Sequence, residues 1–163
     1  MSERYLDDFA VGQVFRSGSI RVDVQEITAF AAEFDPQPFH LDPVAAERTF
    51  FRGLAASGWH TAALTMRLLV ESELKPAGGI IGLGFEDFRW PRPVRPGDEL
   101  TLQTEVLEVR PSQSRPEQGL IKIRVTTVNQ ADEAVLIQVG SLLIRRRSSD
   151  GTVQGATERE PLD

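Results

Sequence analysis

Cysteine is absent from the 163-residue chain, so disulfides, iron–sulfur clusters and thiolate zinc sites are excluded from the outset. Histidine occurs only twice, as His40 and His60, and "HLD" offers just His40 and Asp42 together, so no metal site is expected. Basic residues are in the minority: 18 Lys and Arg against 24 Asp and Glu give a net charge of −6, which is no footprint for nucleic acid. Long hydrophobic runs are also missing. The longest apolar-rich stretch, residues 59–70, contains Arg67 and is too short to span a bilayer. The opening "MSERYLDDFAVGQ" has no apolar signal region. The expected setting is the cytoplasm, with neither membrane nor nucleic acid as a partner.

The remaining composition is that of a globular protein, and the length fits one domain. One domain is expected over residues 1–146, followed by a polar tail over 147–163. Residues 11–22 read as a first strand with a glycine-marked bend. Residues 23–34 read as a helix, because Val24, Ile27, Phe30, Ala31 and Phe34 repeat on one face. Asp23 is its expected N-cap, with Glu26 at capping-box spacing. Pro36 ends it. A short helix is expected from Pro43, with Asp42 as its cap. Residues 57–74 form a longer helix that begins with small residues on every side, which predicts a buried helix.

The period then changes. "IIGLGFEDFRW", "DELTLQTEVLEV", "LIKIRVTTVN" and "AVLIQVGSLLIR" are four strand candidates. Ile121, Ile123 and Val125 alternate with Lys122, Arg124 and Thr126. Pro96-Gly97 suits a tight turn and "NQADE" a hairpin. The order of elements predicts an α+β fold in which a curved antiparallel sheet wraps a central apolar helix. One sheet around one helix leaves a helix face and the sheet edges open, and pairing two copies would cover them.

Four residues are candidates for chemistry. Asp35 and His40 lie five residues apart, and Pro36 and Pro38 stiffen the segment between them. A carboxylate beside an imidazole can orient and deprotonate a water molecule. The same spacing also fits a capping Asp and a packed His. Gly58 stands where the long helix starts, with Ser57 as N-cap, and free N–H groups at a helix start suit a developing oxyanion. His60 follows in the first turn, either as a second acid–base group or as a packed side chain.

The stretch "FDPQPFHLDPVAAERTFFRGLAASGWHTAALTMRLL" resembles the MaoC-like hydratases and dehydratases, which include the R-specific enoyl-CoA hydratases. That family's pattern is Asp-x-Asn-Pro-x-His-x-Asp-Pro, then an Ala-rich stretch, then His-Gly or Ser-Gly opening the central helix. Asp35, Pro38, His40, Asp42, Pro43 and Ser57-Gly58 match it. "RWPRPVRPGDEL" resembles the family's proline-rich approach to a Pro-Gly-Asp turn. Gln37 departs from the usual Asn, and Met66 from a serine found in some hydratases.

The resemblance implies a hotdog fold and a homodimer or higher homo-oligomer with a shared active-site region. It implies that Asp35 and His40 activate a water and that the Gly58 N–H binds a thioester carbonyl. Ser57, His60 and Pro38 are the expected substrate-binding neighbours. No cofactor is expected, because the coenzyme A or acyl-carrier thioester is itself the substrate. The implied reaction adds water reversibly to a 2-enoyl thioester to give a 3-hydroxyacyl thioester. Which of the pair is the formal base stays open. A hotdog thioesterase is the enzymatic alternative, disfavoured because residues 57–70 hold no Asp or Glu. A non-catalytic acyl-thioester-binding subunit is the alternative from another class.

Overall fold

A computed structural model describes residues 2–147. The tail expected over 147–163 lies outside the described residues from position 148 onward. In chain order, a 3-10 turn (Leu6–Asp8) precedes β1 (Val14–Arg16) and β2 (Ile20–Arg21). Four helices follow: α1 (Val24–Phe34), α2 (Pro38–Leu41), α3 (Pro43–Ala46) and α4 (Gly58–Glu71). The chain then returns as β3 (Ile81–Arg89), β4 (Glu99–Pro111), β5 (Gln118–Val128) and β6 (Ala134–Arg145).

The single strand expected over residues 11–22 is two short ones, interrupted at residues 17–19. Both pair with β4, Phe15 opposite Thr104 and Ile20 opposite Leu100. The sheet is antiparallel throughout, in the order β1-β4-β5-β6-β3, with β2 also on β4. Period-2 patterning decides its faces. Ile121, Ile123 and Val125 turn inward and join Leu100, Leu102, Val106, Leu142 and Ile144, while Lys122 and Arg124 turn outward. Asn129 closes the β5–β6 hairpin, its side-chain oxygen accepting from the Ala131 and Glu133 N–H groups.

Helix α4 lies on this core through Leu68 and Leu69, which are almost fully buried; burial of each stabilises by about 1.5–3 kcal/mol. Thr65 meets Thr127 of β5 through paired hydroxyls at 2.8 Å. Its composition predicts burial all round, and the structure departs from that expectation. Trp59, Met66 and Val70 remain exposed, because one sheet covers one face only. The edge strand β3 presents Ile81, Leu83 and Phe85 to the outside as well.

Candidate active site

Helix α1 begins with the expected capping box. Asp23 Oδ1 accepts from the Glu26 N–H at 2.8 Å, and Glu26 Oε2 accepts from the Asp23 N–H at 3.2 Å. The helix stops at Phe34, and Asp35, which precedes Pro36, leaves the α region with φ −149° and ψ 66°. Gln37 is extended, and Pro38 opens α2 as its first residue. His40 therefore sits on one turn of helix, where the sequence suggests a stiff loop. Pro43 and the Asp42 cap start α3 immediately afterwards.

Two buried attachments fix His40. The Ala55 N–H donates to the Phe39 carbonyl at 3.1 Å, and the Ala55 carbonyl lies 2.7 Å from His40 Nδ1. A carbonyl only accepts, so Nδ1 carries a hydrogen and Nε2 is the atom left to gain or lose a proton. Nε2 faces Asp35 Oδ2 at 3.3 Å.

The Asp35 carboxylate is held on both oxygens. Ser57 Oγ donates to Oδ2 at 2.7 Å, and Gln37 Nε2 donates to Oδ1 at 2.6 Å. Burial pushes this carboxyl up. The hydrogen bonds from Ser57 and Gln37, with the charge of His40, outweigh burial and hold it below the usual carboxylate value. The side chain of Asp35 keeps 18% of its surface accessible against 5% for His40, so the pair is reached from the Asp35 side.

Ser57 joins the pair to α4. Its oxygen also accepts from the Trp59 N–H at 3.2 Å, capping the helix. The Gly58 N–H, at the first helical position, donates to no acceptor among the described residues. The positive end of the α4 dipole thus points outward one residue from the group that grips Asp35.

The structure brings Asp35, His40, Ser57 and Gly58 together. Ser57 has committed its hydroxyl hydrogen to Asp35, accepts from the Trp59 N–H and is fully buried, so it offers no free donor. Pro38 is exposed at the start of α2. His60 is buried and stacks on Phe30, rings 4.7 Å apart and 9° from parallel, without a hydrogen bond to the pair. Its Nδ1 has no partner among the described residues. Burial lowers its pKa against an opposing pull from Glu26.

Three contributors carry no mark of their own in the sequence. Ala55 acts through its carbonyl, which no side-chain motif announces. Arg95 donates from Nη1 to the Gly53 and Leu54 carbonyls (3.0 and 3.2 Å) and from Nη2 to that of Phe51 (2.6 Å). It thereby secures the segment leading to Ala55 and Ser57. The turn at Pro96-Gly97 aims it: the Asp98 N–H donates to the Arg95 carbonyl at 3.1 Å, and Gly97 adopts φ 87°. Trp90 lies on Gly58 and donates from Nε1 to its carbonyl at 2.9 Å. The proline-rich "RWPRPVRPGD" is the nearest signal for both.

An antiparallel sheet over one central helix is the hotdog arrangement. The chain belongs to the MaoC-like family: residues 8–129 match the MaoC like domain. It is 37% identical over 141 residues to the uncharacterized protein YdeM of Bacillus subtilis (strain 168), covering 86% of this chain and 99% of that one. A solved MaoC-like dehydratase from Rhodospirillum rubrum is 52% identical with TM-score 0.86, over 89% of this chain and 99% of the other. The (R)-hydratase from A. caviae involved in PHA biosynthesis is 30% identical with TM-score 0.66, over 85% and 98%.

Proposed function

We propose that the protein is a hydratase/dehydratase that adds water reversibly across the double bond of a 2-enoyl thioester, carried on coenzyme A or an acyl carrier. One observation carries this reading. Ser57 ties Asp35 to the start of α4, so the Asp35–His40 pair is joined directly to the helix start that carries the Gly58 N–H. A water held between Asp35 and His40 Nε2 would attack C3. Nε2 takes the proton the water gives up, and the hydroxyl becomes bonded to C3. The double-bond electrons move toward the thioester, whose oxygen gains charge beside the Gly58 N–H and the helix dipole. Nε2 then returns its proton to C2, and the site is restored. Asp35, with its pKa depressed, is suited to hold the water and support the imidazolium rather than to be the main base.

The likeness to an (R)-hydratase supports this chemistry, as does a 31% identity over 81 residues to a mesaconyl-CoA hydratase from Cereibacter sphaeroides, half of this chain and 23% of that protein. Incubation with crotonyl-CoA is the test. Loss of the enoyl absorbance without release of free CoA is the expected result. Release of CoA would point to a thioesterase, and no change to a binding subunit.

The working form proposed is a homodimer. In one chain the pair opens on the surface, and a hollow of about 510 Å³ beside Leu83, Arg110, Leu120 and Leu143 shares no residue with it. The exposed apolar residues of α4 and β3 form a face that a second copy would cover.

A further inference from the structure

Gly58 is glycine for a reason the backbone does not supply. Its φ lies outside the left-handed region, so an alanine would fit the local conformation. Space is what forbids it. A β-carbon at position 58 would stand 2.8 Å from Trp90 Cε2, with two more indole carbons at 3.1 and 3.2 Å. The indole is also held in place. It meets Phe88 edge-on at 5.0 Å and Trp59 edge-on at 5.5 Å. Its Nε1–H donates to the Gly58 carbonyl at 2.9 Å, gripping the first peptide of α4 from the side.

An acceptor on the Gly58 N–H lies about 2.9 Å from that nitrogen, which is bonded to the carbon the indole covers. Trp90 therefore lies beside the donor that a thioester oxygen would meet, and it makes no hydrogen bond to Asp35 or His40 among the described residues. We infer that Trp90 is a positioning residue for the Gly58 N–H: its ring face imposes glycine at 58, and its N–H fixes the orientation of the α4 start at which the oxyanion forms. The inference rests on the reading of Gly58 as the thioester donor. Such a role acts on the transition state more than on ground-state binding, so it separates kcat from KM.

Three variants of the full chain test it with crotonyl-CoA, each checked by melting and light scattering. Trp90→Phe keeps an aromatic ring but removes the donor together with one ring of the indole that packs on Gly58. Its kcat should fall about three- to tenfold, the worth of one hydrogen bond, with KM unchanged. Gly58→Ala should lose about a hundredfold or more as the β-carbon displaces the helix start. Adding Trp90→Leu to Gly58→Ala should restore about tenfold of that loss, the direction opposite to two independent defects. If Gly58→Ala does not fold, recovery of a cooperative melt in the double variant supports the inference, and failure to recover one overturns it. Trp90→Phe with wild-type kcat overturns the inference, and so does a double variant no better than Gly58→Ala. Wild type that leaves the enoyl absorbance unchanged overturns the reading of the site itself, and the inference with it.

Discussion

Ser57 Oγ donates to Asp35 Oδ2 at 2.7 Å, across 22 positions of chain, and the same oxygen caps α4. One fully buried hydroxyl thus joins the Asp35–His40 pair to the helix start. Ser57→Ala should cost about 1 kcal/mol from the lost cap. It should also let the Asp35 pKa rise toward its ordinary value. A carboxylate with a lowered folded pKa contributes stability that is complete above its unfolded value of about 3.9 and is lost as pH falls through the folded one. The melting difference between wild type and Ser57→Ala should therefore be widest near neutrality and narrow below about pH 4. A difference constant with pH would mean that the bond does not favour the ionised form.

Asp35→Asn and His40→Gln keep size and hydrogen-bonding capacity but remove the proton-handling atoms. Each should lower crotonyl-CoA hydration by at least about 10²-fold while melting stays near wild type. Substantial turnover in either variant would refute the assigned roles. Unfolding of both would mean that the pair is structural.

Much of this arrangement is legible in the sequence, for a physical reason. Caps, proline stops and period-2 strands are local, so Asp23, Pro36, Asp42 and Ile121 to Val125 announce their own structure. Asp35, His40 and Gly58 are legible because their residue types and spacing resemble a family motif. What stays hidden depends on contacts between segments. The Ala55 carbonyl, the Arg95 clamp and the Trp90 ring act on residues 15, 41 to 44 and 32 positions away, respectively. The composition of α4 misleads about burial because the apolar pattern does not say whether the covering surface comes from the same chain.

That uncovered surface gives the third prediction. Light scattering at micromolar concentration should return twice the 18.1 kDa of one chain. Phe85→Glu on the edge strand should shift the protein toward monomer and reduce hydration, because it places a charge in the apolar face. A wild-type mass near 18.1 kDa would refute the proposed homodimer.

His60 gives a prediction about pH. Burial lowers its pKa from 6.5, so the folded protein resists protonating it. A lowered folded value means that stability is complete above about pH 6.5 and declines on acidification as the unfolded chain takes up the proton. His60→Phe keeps a ring against Phe30 and removes the unpartnered Nδ1. The fall in melting temperature between about pH 7.5 and pH 5.5 should be smaller in the variant than in wild type. An equal fall in both would assign the acid sensitivity elsewhere.

The last prediction isolates the Gly58 N–H. Proline at the first helical position would remove that N–H and suit the backbone, since Ser57 before it has φ −54° and ψ 141°. In the wild-type background the result would be ambiguous, because any β-carbon at 58 meets the Trp90 indole at 2.8 Å. The comparison therefore belongs in a Trp90→Leu background. There, Gly58→Ala and Gly58→Pro both carry a β-carbon, and the decisive difference is the donor. Loss of one oxyanion donor costs about 10²–10³ in rate, so the proline variant should turn over crotonyl-CoA more slowly than the alanine variant by about that factor. Circular dichroism and light scattering should show the same fold and mass for both. Equal turnover in two folded variants would remove the oxyanion role and leave the Gly58 N–H as a plain first-turn donor.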